Sequence, residues 1–86
     1  MEQEVQVTMK DRQMACRMIF TLRHMSDFTQ TEFGQRFGLS QTQVSRIETM
    51  KDMPSDDLMR RICDRYSIDL DQLLLKKPVN KWAITA

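Results

Sequence analysis

The sequence predicts a small all-α protein of five helices, and three observations support this. The 86 residues include only two glycines and two prolines, too few for the turns of a typical all-β domain. Apolar residues recur at helical intervals along most of the chain. Serine, threonine or aspartate precedes most of these intervals, where helix N-caps are expected. With 41% hydrophobic residues, the chain can build one modest core.

The first helix is predicted from about Asp11 to near Met25. Apolar residues share one face of it, at Ala15, Met18, Ile19 and Leu22. Residues 1–10 before it are expected to form a flexible arm. The short alternation in residues 4–8 leaves open a strand that pairs with a second chain.

Two capping boxes predict two short helices within residues 29–48. Thr29 is followed three residues later by Glu32, and Ser40 is followed three residues later by Gln43. The second of these helices is expected to end near residue 50. The residues that face inward from the two helices and the turn are Phe33, Phe37, Leu39, Val44 and Ile47.

Both glycines lie in this region. Gly38 suits the left-handed position that ends a helix, and only the segment Gly38–Ser40 separates the two helices. Gly34 in mid-helix costs about 1 kcal/mol relative to alanine, so a close contact with the following helix is expected there. This spacing is the helix-turn-helix pattern.

Two more helices are predicted after Pro54. Ser55 is a good N-cap for the fourth helix, whose apolar stripe comprises Leu58, Met59, Ile62, Cys63 and Tyr66. Asp69 is expected to cap a short fifth helix that ends in the run Leu73–Leu75, and Pro78 stops it. The chain therefore divides into an arm, a domain and a tail, at 1–10, 11–75 and 76–86.

The charge distribution does not indicate a strongly polybasic surface. The formal net charge is +1, residues 51–75 carry four basic and six acidic side chains, and the tail carries three lysines and no acid. An acidic patch and a basic tail are expected. Trp82 in the tail either docks on the domain or contacts a partner.

The sequence predicts no enzyme, cofactor, metal site or membrane span. His24 is the single histidine and is expected to interact with free carbonyl groups at the end of the first helix. Cys16 and Cys63 are expected to be reduced thiols of a cytoplasmic protein, although a disulfide between them stays open. No apolar run is long enough to cross a bilayer, and the first residues do not resemble a signal peptide.

A combination of motifs in residues 15–75 is specific. It comprises Arg23, the pair Thr29-Gln30, Gly34, the turn Phe37-Gly38-Leu39-Ser40, the run Val44-Ser45-Arg46-Ile47-Glu48, and Pro54. With these motifs the chain resembles the phage-repressor/Cro-type helix-turn-helix DNA-binding family, which is λ-repressor-like and also called XRE-type. The resemblance implies a five-helix λ-repressor-like domain that binds double-stranded DNA.

One departure from the family pattern follows the third helix. The family usually has a glycine one or two residues after the position of Glu48, whereas this chain has the segment 49–52, Thr-Met-Lys-Asp. The exit from the third helix is therefore expected to be longer or differently shaped.

The third helix offers hydrogen-bonding side chains on the face opposite its apolar residues, at Gln41, Thr42, Ser45 and Arg46. Glutamine can bind adenine and arginine can bind guanine with two hydrogen bonds each, and a threonine methyl can contact thymine. The resemblance implies that Gln41, Thr42 and Arg46 read bases, with Ser45 next in line.

Other residues are candidates for phosphate binding or for structure. The resemblance implies that Gln30, at the start of the second helix, contacts phosphate and braces Gln41. Further phosphate candidates, or alternatively ordinary surface residues, are Gln43, Lys51, Lys10 and Arg12. The resemblance also implies a partly buried ion pair between Arg23 and Glu48, which ties the first helix to the end of the third.

The leading hypothesis is a transcriptional regulator, most simply a repressor of phage, mobile-element or bacterial origin. We expect it to act as a homodimer on a palindromic operator, since one helix reads few base pairs. Dimer contacts are expected from the fifth helix, the run Leu73–Leu75 and the tail at 79–84. The alternative is a protein-interaction module on the same fold, an antirepressor or a toxin-binding antitoxin, which the acidic stretch 52–57 favours.

Overall fold

The computed structural model describes residues 7–78, and every regular element in that range is an α-helix. The helices are α1 (Met9–Met25), α2 (Gln30–Phe37), α3 (Gln41–Glu48), α4 (Asp56–Tyr66) and α5 (Leu70–Leu73). This confirms the predicted all-α architecture of five helices. The contacts predicted for Trp82 and the rest of the tail beyond residue 78, and the alternation in residues 4–6, lie outside the described residues.

Helix α1 begins two residues earlier than the sequence predicted. The Thr8 hydroxyl accepts the Asp11 amide at 3.0 Å, and the Asp11 carboxylate accepts the Thr8 amide at 3.1 Å. This is a capping box with aspartate in place of the commoner glutamate or glutamine. Residues 9 and 10, predicted as arm, therefore belong to the first turn of α1.

The two predicted capping boxes at Thr29 and Ser40 are both formed, and they begin α2 and α3. Gly38 ends α2 in the left-handed region, with φ of 71°. A Cβ atom at Gly34 would overlap the carbonyl oxygen of Leu39 and would lie 3.4 Å from the Val44 Cγ2 atom. The close approach is therefore mainly to the backbone of the turn, whereas the sequence predicted a contact with the following helix.

A left-handed residue follows every one of the five helices, and only one of the five is glycine. The φ angles lie between 53° and 71°, at Asp27, Gly38, Met50, Ser67 and Leu75. Each position lets the next amides bond back to carbonyl groups of the last helical turn, as in a Schellman motif. The chain thus ends its helices at left-handed residues that mostly carry side chains, a conformation that costs more without glycine.

Helix α3 ends at Glu48 rather than near Met50, because Met50 takes the left-handed conformation with φ of 62°. The amide of Met50 donates to the Ile47 carbonyl at 3.0 Å, and that of Lys51 donates to the Arg46 carbonyl at 2.8 Å. The exit is a tight Schellman turn in which Met50 takes the left-handed position that the family gives to glycine. The turn is therefore no longer than usual, but its conformation costs more free energy than it would with glycine.

All five helices contribute side chains to one core. Its fully buried side chains include Ile19, Leu22, Phe33, Ile62 and Leu73. Leu74 is 2% exposed and also belongs to the core, whereas Leu75 is 48% exposed. The run Leu73–Leu75, predicted to form a dimer surface, therefore serves mostly the chain's own core and offers only Leu75.

Candidate nucleic-acid interface

The structure brings the predicted base-reading residues to one side of α3. Gln41, Thr42 and Arg46 are exposed and Ser45 is half-buried. Val44, on the opposite side of the helix, is 1% exposed and Ile47 is 5% exposed. A helix with this division can place four polar side chains against another molecule without disturbing the core.

The inner side of α3 carries the ion pair that the family resemblance implied. Arg23 donates from Nε to the Oε2 atom of Glu48 at 2.5 Å and from Nη2 to the Oε1 atom at 3.0 Å. Its Nη1 atom donates to the Phe28 carbonyl at 2.8 Å. The Glu48 side chain is only 4% exposed, so the pair joins α1 to the end of α3 away from water. Such a buried pair positions the two helices relative to each other.

A relay of hydrogen bonds connects this buried pair to the outer side of α3. The Gln30 amide donates from Nε2 to the Glu48 Oε1 atom at 3.0 Å. Its Oε1 atom accepts the Gln41 Nε2 group at 2.6 Å. Because the carboxylate can only accept, it turns the Gln30 oxygen toward Gln41 and thereby orients the Gln41 amide. The Gln41 oxygen and one amide hydrogen remain for another partner.

Arg46 is held on its outer side by Asp52, an interaction that sequence reasoning missed. The Arg46 Nε atom donates to Oδ2 at 2.8 Å and the Nη2 atom donates to Oδ1 at 3.3 Å. Hydrogen bonding from Arg46 holds the pKa of the Asp52 carboxyl below its usual value, and Asp52 raises the pKa of the Arg46 guanidinium. The sequence showed Asp52 only as part of an acidic stretch, because its approach to Arg46 depends on the turn at Met50.

The phosphate candidates beside α3 differ in how they are held. The Gln43 Oε1 atom accepts the Ser40 amide at 2.8 Å and completes the capping box of α3. Its amide group therefore stays close to the start of the helix, where backbone amides favour an anion. Lys51 is exposed in the exit turn, one residue after Met50. Both residues flank the base-reading side of α3.

The other two phosphate candidates, Lys10 and Arg12, both lie in α1. Arg12 donates from Nη1 to the Pro54 carbonyl at 2.8 Å and from Nη2 to the Asp56 carboxylate at 2.6 Å. It joins α1 to the segment before α4, so its side chain serves the fold and is not presented by a flexible arm. Lys10 is exposed on the first turn of α1.

His24 does not cap α1 as predicted. Its Nε2 atom lies 3.2 Å from the Nη2 atom of Arg23, and its ring packs at a tilt of 54° against Phe20 with 4.2 Å between the ring centroids. The Ser26 amide instead bonds to carbonyl groups of the last turn. The sequence could not distinguish the two contacts, because Phe20, four residues earlier on the same helix, is as close to His24 as the free carbonyl groups are.

The remaining polar residues of the described range add no second site. Cys16 is buried, Cys63 is half-buried, and both thiols are free. Between residues 7 and 78, no cluster of histidine, cysteine, aspartate or glutamate could hold a metal ion. In the same range, no helix is both long and apolar enough to cross a membrane.

Comparison with known proteins identifies the unit that contains this interface. The family model described as helix-turn-helix, of the phage-repressor and Cro type, matches residues 20–73. Proteins of this family are typically DNA-binding transcription regulators and are not normally enzymes. No curated protein and no solved structure matches the chain significantly. The match spans the last third of α1, from residue 20 onward, and all of α2 to α5.

Proposed function

Because the chain belongs to the phage-repressor and Cro-type helix-turn-helix family, we propose that it binds double-stranded DNA sequence-specifically and regulates transcription through α3. The observation that carries this proposal is the relay from the buried Arg23–Glu48 pair through Gln30 to Gln41. A polar side chain that is oriented before its partner arrives needs less ordering on binding.

The four outward residues of α3 fit different parts of a base-pair edge. The free oxygen and amide hydrogen of Gln41 match the donor and acceptor of adenine in the major groove, and Arg46 matches guanine. Thr42 offers a methyl group to thymine, and Ser45 can bond either to a base or to a backbone group. Each bidentate contact is worth about 1–3 kcal/mol of discrimination between bases.

Phosphate contacts at the two ends of the reading helix would fix its register on the duplex. Gln30 keeps one amide hydrogen beyond those used in the relay, and it lies at the N-terminus of α2. Gln43 lies in the first turn of α3, Lys51 lies in the turn that follows the helix, and both are exposed. These three residues are proposed to bind the DNA backbone without reading sequence.

We expect the protein to act as a homodimer and as a repressor. One α3 covers only a few base pairs, and two-fold dimers in this class of protein read half-sites about 34–36 Å apart. Leu75, the exposed member of its leucine run, and the tail are the proposed dimer contacts.

Selection of bound duplexes from a random pool tests this function. The expected result is a palindrome whose half-sites are about one helical turn apart. Arg46→Ala should then relax the preference at one base position by about 1–3 kcal/mol, whereas Gln30→Ala should weaken binding to all sequences. Arg60→Ala is the matched control, since Arg60 pairs with Asp57 on α4 and has no proposed DNA role.

The alternative of a protein-interaction module loses its main support in the structure. Asp52, Asp56 and Asp57 all form ion pairs with arginines within the chain. The arginines therefore offset part of the negative charge of this stretch, which reduces its value as an acidic patch for a partner. Duplex binding that weakens steeply between low and physiological salt favours the DNA-binding function, and its complete absence favours the adaptor.

A further inference from the structure

We propose that Asp52 is a positioning residue that sets the base preference of Arg46, an inference that rests on the proposed function. The guanidinium group has five N–H donors arranged along two usable edges. Asp52 occupies the side edge, formed by Nε and Nη2, at 2.8 and 3.3 Å. The end edge, formed by the two terminal nitrogens, keeps donors for a second acceptor.

The free end edge of Arg46 can bind guanine. Guanine presents its O6 and N7 atoms side by side in the major groove, and an arginine binds both with two parallel hydrogen bonds. That contact requires the plane of the guanidinium to be aligned with the base pair. A carboxylate bound to the adjacent side edge fixes this plane, because bidentate pairs of arginine and carboxylate are close to planar.

Asp52 is itself anchored by the backbone. Its amide donates to the Arg46 carbonyl at 3.2 Å, and its carbonyl oxygen accepts the Cys16 Sγ group of α1 at 3.7 Å. Both hydrogen bonds depend on the left-handed turn at Met50, which directs the chain back toward α3 and α1. The backbone of Asp52 is therefore held by α3 and α1, while its carboxylate holds Arg46.

Stability does not account for this ion pair. The two side chains are 49% and 48% exposed, and pairs of such exposure contribute little to folding. A negative charge beside the reading helix also repels DNA phosphates and weakens binding to every duplex. A residue that lowers general affinity and adds little stability is best explained by selectivity, which is a difference between affinities.

The test compares affinities for the selected operator and for duplexes altered at the base pair that Arg46 reads. The native chain should favour guanine by about 5- to 150-fold. Asp52→Asn should reduce this preference by about threefold or more, because asparagine has one side-chain oxygen and cannot accept two charge-assisted hydrogen bonds from Arg46. Its affinity for an unrelated duplex should be unchanged or higher.

A matched control removes the same charge elsewhere. Asp69→Asn removes a carboxylate that pairs with Lys77 beside α5, and asparagine still caps that helix. It should leave the preference for guanine unchanged. Asp52→Glu should restore part of the preference that Asp52→Asn loses, since it keeps a carboxylate one methylene further away.

Positioning can also be measured without DNA. In the free chain, the Arg46 Nε–H proton should exchange with water more slowly in the native protein than in Asp52→Asn, as measured by NMR. An undiminished guanine preference in a folded Asp52→Asn variant would overturn this role and leave the proposed function intact. A native chain that shows no salt-sensitive DNA binding would contradict both.

Discussion

The inner and outer sides of α3 carry the same kind of ion pair in opposite surroundings. Both Arg23 and Arg46 bind a carboxylate through Nε and Nη2. The inner pair with Glu48 has side chains 11% and 4% exposed, whereas those of the outer pair with Asp52 are 49% and 48% exposed. The same geometry therefore has different consequences for stability, because the loss of one partner costs far more free energy in a buried pair than in an exposed one.

The largest expected effect is on the inner side. Glu48→Gln should lower the free energy of unfolding by about 3–5 kcal/mol, because it leaves the buried Arg23 charge without a counter-charge. Denaturant unfolding measures this change. The outer control, Asp52→Asn, should cost less than about 1 kcal/mol by the same method. If Glu48→Gln kept full stability, the structural role of the inner pair would be wrong.

Apolar substitutions in α3 should also lower the free energy of unfolding more on the buried side than on the exposed side, although by less than the loss of the inner ion pair. Val44→Ala should cost about 2 kcal/mol, because Val44 is 1% exposed and its removal leaves space beside Gly34. Thr42→Ala, on the exposed side, should change the free energy of unfolding by less than about 0.5 kcal/mol. Equal losses for the two variants would show that α3 is not packed by one side only.

A substitution in the turn that ends α3 should increase the stability of the fold. Met50→Gly should raise the free energy of unfolding by about 1 kcal/mol, because it removes a Cβ atom from a left-handed position. Met50→Ala is the control: it shortens the side chain and keeps the Cβ atom, so it should give no such gain. A gain with alanine equal to that with glycine would refute left-handed strain as the cause.

Much of the inner side was predictable from sequence, because it depends on local patterns. Apolar spacing identified Val44 and Ile47, and the capping boxes at Thr29 and Ser40 set the starts of α2 and α3. The pairing of Arg23 with Glu48 spans 25 residues and was anticipated only through the family resemblance. Periodicity alone carries no information about which distant charges meet.

The outer side was harder to predict because it depends on the exit turn. Sequence reasoning treated the missing glycine after Glu48 as a sign of a different loop, and the loop is formed with Met50 instead. That turn brings Asp52 back to Arg46 across six positions. The sequence also did not predict the earlier start of α1. Asp11 completes the capping box there, whereas the usual partner at this position is glutamate or glutamine.

The smallest expected effect concerns the titration of the outer pair. Hydrogen bonding from Arg46 lowers the pKa of Asp52, so the folded state binds that proton less readily than the unfolded state does. The stabilising contribution is therefore complete above the ordinary carboxyl pKa of about 3.9 and is lost as the pH falls through the lower folded value. An NMR titration of the Asp52 carboxyl should give a pKa below the ordinary value in the native chain, and one closer to it in Arg46→Gln. An unchanged pKa in that variant would mean that Arg46 is not the group that holds Asp52, and the two sides of α3 would then differ in contacts as well as in burial.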